Sequence, residues 1–203
     1  RERADLGIAF DGDGDRLVMA DGNGRLLDGN ALLAILGIDR LERDELPEKT
    51  IATTIMANGG LARALAPLGG QVVHTQVGDR YVVEAMREQG LAIGGESSGH
   101  MIILDHNTTG DAIIAALQVL AIIVRKEQPL TDLAHAYQEM PESHQKIPLN
   151  GRPKPSQESL DALVEEIRDE LEGKGRVVIR PSGTEPIVRI MVQHQDARAA
   201  QTL

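Results

Sequence analysis

The stretch from Thr50 to Lys126 alternates between two kinds of segment, and that alternation narrows the architectures open to the chain. Thr50 to Ile55, Gln71 to Thr75, Leu91 to Gly94 and Met101 to Leu104 are short runs suited to buried strands. Gly59 to Leu68, Arg80 to Gln89 and Asp111 to Lys126 carry apolar residues at helical spacing. Strands alternating with helices predict an α/β fold, with a mixed, mostly parallel sheet covered by helices. Phe10, Tyr81 and Tyr137 are the only aromatic residues, so the core must be built from Ala, Leu, Ile and Val.

The flanks read differently. Leu6 to Phe10 and Arg16 to Ala20 are expected strands, followed by an Asp21-Gly22-Asn23-Gly24 turn whose glycines and Asn tolerate positive φ. A helix is expected over Asp28 to Leu41, capped by Asp28 or Asn30, and Thr108 or Thr109 is expected to cap the helix from Asp111. Leu130 to Glu139 reads as a further helix. From Met140 to Pro155 four prolines stand among polar residues, which reads as a linker around one short strand. A charged amphipathic helix over Gln157 to Glu172 follows, then strands over Arg176 to Arg180 and Ile187 to Gln193, which together make a small α+β domain. The expected division is 1–28, 29–140 and 141–203.

Charge and composition exclude several roles. A net charge of -10 argues against nucleic acid or an anionic membrane as partner. There are no cysteines, hence no disulfide and no thiolate metal site, in keeping with the cytoplasm. The longest apolar run, Ala112 to Val124, is interrupted by Gln118 and is too short for a bilayer. The chain opens on Arg1-Glu2-Arg3 without an initiator Met, and it is expected to be a piece of a longer protein.

Three loops carry candidate chemistry. In Asp11-Gly12-Asp13-Gly14-Asp15-Arg16, three carboxylates converge through glycines and repel one another unless a cation lies among them. An EF-hand is excluded, because its sixth position should be Gly but is Arg16, and its twelfth should be acidic but is Gly22. Mg2+ is favoured over Ca2+, since it binds few protein carboxylates and shares ligands with phosphate. Gly94 to His100 offers Glu96 and Ser98 for sugar hydroxyls and His100 as an acid, base or phosphate contact; a tight turn with an exposed His fits equally. Arg180 to Pro186, with Arg189 beyond, offers forked donors and a small-residue loop for phosphate, against the plainer reading of a hairpin with surface arginines. Arg80 opens a helix and could reach a substrate or simply mark the helix start.

Taken together and in this order, the motifs D-G-D-G-D-R, G-E-S-S-G-H and R-P-S-G-T-E-P resemble those of the α-D-phosphohexomutase superfamily over essentially the whole chain. Val77 to Val82, the doubled glycine before Glu96 and Asn107 to Asp111 resemble the branch acting on glucosamine phosphates, although Ser97 stands where Gln is commoner. The resemblance implies the end of a second domain, a whole third and most of a fourth, with the phosphoserine domain missing. It implies Mg2+ on Asp11, Asp13 and Asp15, with Arg16 and His100 at the reacting groups. It implies Glu96, Ser98 and Arg80 on the sugar, and Arg180, Ser182, Gly183, Thr184 and Arg189 on the phosphate that stays put. The implied substrate is a hexosamine phosphate, whose 6- and 1-phosphates interconvert through a bisphosphate. The implied partners are the protein's own N-terminal domains, and self-association is compatible with the sequence. A sibling acting on glucose or mannose phosphates and a non-catalytic phosphosugar binder are the competing readings.

Overall fold

A computed structural model describes residues 4–171 and 173–202. The chain forms two compact units, Arg1–Gln138 and Glu139–Leu203.

The first unit opens with β1 (Leu6–Phe10), β2 (Leu17–Asp21) and β3 (Leu26–Leu27), an antiparallel sheet in sequence order. The turn before β3 is fixed by Asp21, whose Oδ1 accepts the N–H groups of Asn23 and Arg25. Next come α1 (Gly29–Glu42), β4 (Thr50–Thr54), α2 (Gly60–Leu65), β5 (Gln71–Thr75), α3 (Asp79–Gln89), β6 (Ile93–Gly95) and β7 (Met101–Ile103). The main sheet has the order β5-β4-β6-β7, with β4 parallel to β5 and β6 and β7 antiparallel to β6. The expected mixed, mostly parallel sheet is therefore present. Every residue of β4 is buried, as a central strand between helical layers requires.

α4 (Ala112–Lys126) and α5 (Leu130–Ala134) complete this unit. Leu17, Met19, Leu32, Leu33, Ile51, Ile93, Ala115 and Val119 belong to one core, almost free of aromatics. Within it, the carboxylate of Asp39 on α1 accepts from Arg125 of α4 at 2.6 and 2.7 Å and from Arg43 at 3.0 Å. That ion pair joins the two longest helices of this unit across their seam. No helix among the described residues is long and apolar enough to cross a membrane.

The second unit holds β8 (Glu142–Pro148), α6 (Gln157–Glu170), β9 (Gly175–Pro181), β10 (Ile187–His194) and α7 (Ala197–Thr202). The strands form an antiparallel sheet with β10 in the middle, in the order β8-β10-β9. α6 packs its Leu160 and Val164 on Val177, Ile179, Val188 and Val192. This is one face of the sheet, as the two-residue period of strands dictates.

Several local expectations need correction. The helix from Asp111 is capped by Asp111 itself, whose Oδ1 accepts from Ile114 N at 2.9 Å, not by Thr108 or Thr109. The helix expected to Glu139 ends at Ala134. Beyond it, the N–H groups of Ala136 and Tyr137 donate three residues back rather than four, and the Gln138 carbonyl lies against Gly60, so packing on α2 draws the chain out of helical register. The one strand expected within Met140 to Pro155 is present and runs over seven residues, and the C-terminal helix α7 carried no clear signal. Glu172, the expected end of the charged helix, lies outside the described residues.

Candidate functional site

The acidic loop joins β1 to β2. It is closed by paired backbone, with Asp11 N–H donating to Arg16 O and Gly14 N–H to Asp11 O. Carboxylate oxygens of Asp11, Asp13 and Asp15 come within 4.8 Å of one another. The Arg16 N–H donates to Asp11 Oδ1 at 3.1 Å, and its guanidinium lies 3.8 Å from Asp11 and 3.9 Å from Asp15.

The two outer carboxyls are pushed in opposite directions. Desolvation raises Asp15, and the charges of Asp13 and Asp11 add to that rise against the opposing effect of His100. Desolvation also acts on Asp11, but hydrogen bonds from Arg16 and Asp15 and the Arg16 charge bring it below its ordinary value. Among the described residues, Asp15 Oδ1 is buried without a hydrogen-bond partner. An all-oxygen donor set with a buried carboxylate oxygen that accepts no hydrogen bond fits a hard divalent cation.

The loop between β6 and β7 carries Glu96, Ser98 and His100. It is stitched to the acidic loop through the backbone: Leu17 N–H donates to Gly99 O at 3.0 Å, and Arg16 and His100 form an isolated bridge. This approach requires Gly99, whose φ is +92° and where a Cβ would lie 2.2 Å from the Leu17 carbonyl oxygen. The start of α1 seals the other side, with Gly29 N–H donating to Ser97 O at 3.1 Å. The structure thus brings together Asp11, Asp13, Asp15, Arg16 and His100. The imidazole is buried, with Nε2 3.6 Å from Asp15 Oδ2.

Glu96 is oriented by a contact that sequence reasoning missed. Its Oε1 accepts the N–H of Gly78, the residue before α3, at 3.2 Å. Ser98 is exposed on the same loop. Arg80 lies over its neighbour Tyr81, 4.4 Å from the ring centroid, and donates to the Tyr81 hydroxyl. It is therefore placed one residue into α3, next to the Gly78 that holds Glu96, and its contacts are with Tyr81.

In the second unit, β9 and β10 are joined by the 182–186 loop. Ser182 is buried, its Oγ accepts from Glu185 N–H at 3.2 Å, and its carbonyl accepts from Lys154 Nζ at 2.8 Å. Gly183 and Thr184 at the tip are exposed. Arg180 and Arg189 are cross-strand partners, and Glu185 is ion-paired to Arg189. The structure adds a residue absent from the sequence reading: Lys146 of β8 is the partner of Arg189 on its other side. Only the strand register could show it, because β8 lies in the proline-rich stretch.

The fold and the loops it positions can be set beside known proteins, and that comparison gives the family. Residues 28–140 match phosphoglucomutase/phosphomannomutase alpha/beta/alpha domain III, and residues 122–203 match the C-terminal domain of the same family. The chain belongs to the phosphoglucomutase/phosphomannomutase family. It is 46% identical over 204 residues to the phosphoglucosamine mutase of Anaeromyxobacter dehalogenans, covering 100% of this chain and 44% of that protein. It is 49% identical over 196 residues to that of Sorangium cellulosum, covering 96% of this chain and 41% of the relative. The chain thus spans less than half the length of these curated relatives. Among solved structures, Aspergillus fumigatus N-acetylphosphoglucosamine mutase in complex with GlcNAc-6P and magnesium shares the fold. Its TM-score is 0.75 at 23% identity, over 96% of this chain and 50% of that one.

Proposed function

We propose that this chain is part of a phosphoglucosamine mutase that interconverts glucosamine 6-phosphate and glucosamine 1-phosphate through a bisphosphate. The reading is supported chiefly by the joining of the carboxylate loop to the Glu96–His100 loop within one unit. Phosphoryl transfer depends on positioning and charge neutralisation more than on covalent chemistry by the protein.

Asp11, Asp13 and Asp15 would hold Mg2+, which supplies positive charge beside the phosphoryl group. Arg16 offers a forked cation at the same edge. Glu96, fixed by Gly78 N–H, and Ser98 accept and donate hydrogen bonds to sugar hydroxyls, and Arg80, two residues beyond Gly78, is the third sugar contact. His100 Nε2, already beside a carboxylate, moves the proton of the hydroxyl that gains or loses phosphate. Arg180, Ser182, Gly183, Thr184 and Arg189 hold the phosphate that is not transferred. The seryl phosphoryl carrier implied by the family is not among these residues, so the 203-residue chain alone is expected to be inactive.

The test compares turnover of glucosamine 1-phosphate and glucose 1-phosphate by the complete polypeptide. A preference for the glucose ester would replace this reading with a sibling mutase. For the chain itself, Mg2+ titration should show binding that Asp13→Asn removes. An equal response in parent and variant would refute the metal assignment.

A further inference from the structure

The register of the second unit's sheet sets three cations in one row. Arg189, on the central strand β10, stands opposite Lys146 of β8 on one side and Arg180 of β9 on the other. Directly opposed residues of an antiparallel ladder project from the same face. Val188, Val192 and Ile179 point to the α6 side, so the alternating row of Arg180, Arg189 and Lys146 lies on the other face. Neighbouring strands are about 4.8 Å apart, which puts the two outer backbones about 10 Å from each other. Side chains as long as Lys and Arg close that span over the middle strand.

Like charges directly opposite one another destabilise a sheet. Among the described residues, Glu185 is ion-paired to Arg189, while Lys146 and Arg180 pair with no carboxylate. The one acid of β8, Glu142, is on this face, is four residues from Lys146 and is engaged by His144 and Gln193. The row next to the cations, Val178–Met191–His144, is partly apolar, and Met191 is buried. On its other side the row leads into the 182–186 loop, where Ser182 is fixed. A lysine on an edge strand can serve merely to discourage strand pairing. That purpose is met at any position of β8, and it gives no reason to stand opposite an arginine.

We propose that Lys146 is a third cation of the anion site, and that the row takes the dianion of a phosphate monoester. This rests on reading the 180–189 hairpin as a phosphate clamp and extends that clamp to β8. The ligand offsets a repulsion that the ligand-free sheet otherwise retains.

The test uses the 203-residue chain, calorimetric titration with inorganic phosphate and with glucosamine 6-phosphate at low ionic strength, and thermal melting. Lys146→Met should weaken both ligands by about fivefold to tenfold. It should also flatten the salt dependence of binding and raise the melting temperature of the ligand-free chain. Lys146→Arg should restore affinity. Loss of binding in Arg180→Ala but full affinity in Lys146→Met overturns this proposal and leaves the clamp standing. No phosphate binding by the parent overturns both. A loss confined to the sugar phosphate places Lys146 on the sugar and also refutes it.

Discussion

Gly29→Ala is the sharpest probe of how the first unit holds its loops. A Cβ at this position would lie 1.9 Å from the Glu96 carbonyl oxygen, 2.8 Å from Gly99 N and 3.0 Å from Glu96 C. All three are backbone atoms, so no side-chain rotation relieves the overlap. Reaching even 3.0 Å from the oxygen requires a retreat of about 1.1 Å. That movement strains Gly29 N–H to Ser97 O, Gly99 N–H to Glu96 O and Leu17 N–H to Gly99 O, which span 3.0–3.1 Å. Weakening three such bonds at about 1 kcal/mol each, less the small gain of Ala over Gly at a helix start, gives a loss of about 2–3 kcal/mol. For a chain of this size that is a fall in melting temperature of about 6–10 °C. In the complete enzyme, a displacement of about 1 Å at the Glu96 loop should cost about 100-fold in kcat/KM. Gly7→Ala is the control, because its Cβ would make an ordinary 3.5 Å contact with Ala20 Cβ. The assay is thermal melting by circular dichroism alongside turnover. If Gly29→Ala melts within about 2 °C of the parent, the loop is not held as described.

Three further predictions concern other contacts. Asp39→Ala should destabilise the chain by about 2 kcal/mol in urea, less than a fully buried pair, because Arg125 and Arg43 can rehydrate; a loss below about 0.5 kcal/mol would discount the α1–α4 ion pair. The raised Asp15 carboxyl contributes stability that is complete below its ordinary value of 3.8 and is lost as pH rises through the raised value. Asp15→Asn should therefore melt above the metal-free parent by a margin that widens as pH climbs from about 4 towards neutrality, and Mg2+ should raise the parent's melting temperature only. A variant that tracks the parent at every pH contradicts this. Ser182→Ala should cost about 1 kcal/mol of stability and weaken phosphate binding about fivefold, read by urea unfolding and calorimetry; unchanged binding would remove Ser182 from the clamp.

Where local pattern and tertiary packing agree, the sequence is readable. Gln71 to Thr75 is a strand with the expected bounds, because its β-branched centre and the flanking glycine leave few alternatives. Asp28 caps α1 as its residue type suggests, accepting from Ala31 N at 3.0 Å. Reading fails where a distant contact decides. The segment after Ala134 has helical composition, but the close approach of Gln138 to Gly60 bends it away. In the site, the clustering of three carboxylates follows from their spacing alone. The support of Glu96 by Gly78 and the alignment of Lys146 with Arg189 do not, because each depends on segments many residues apart meeting in one register.

The backbone bonds between the acidic loop and the histidine loop also bear on protein engineering. Leu17, Gly99, Arg16 and His100 join them inside a unit that ends at Gln138. A chimera cut at that junction would carry both loops over as a single cassette, with their mutual spacing set by the donor's own folding. A cut between Leu27 and Gly29 would draw the two bonded loops from different donors. Exchange at the later junction would vary the second unit, with its 180–189 hairpin, and leave the spacing between carboxylates and imidazole untouched.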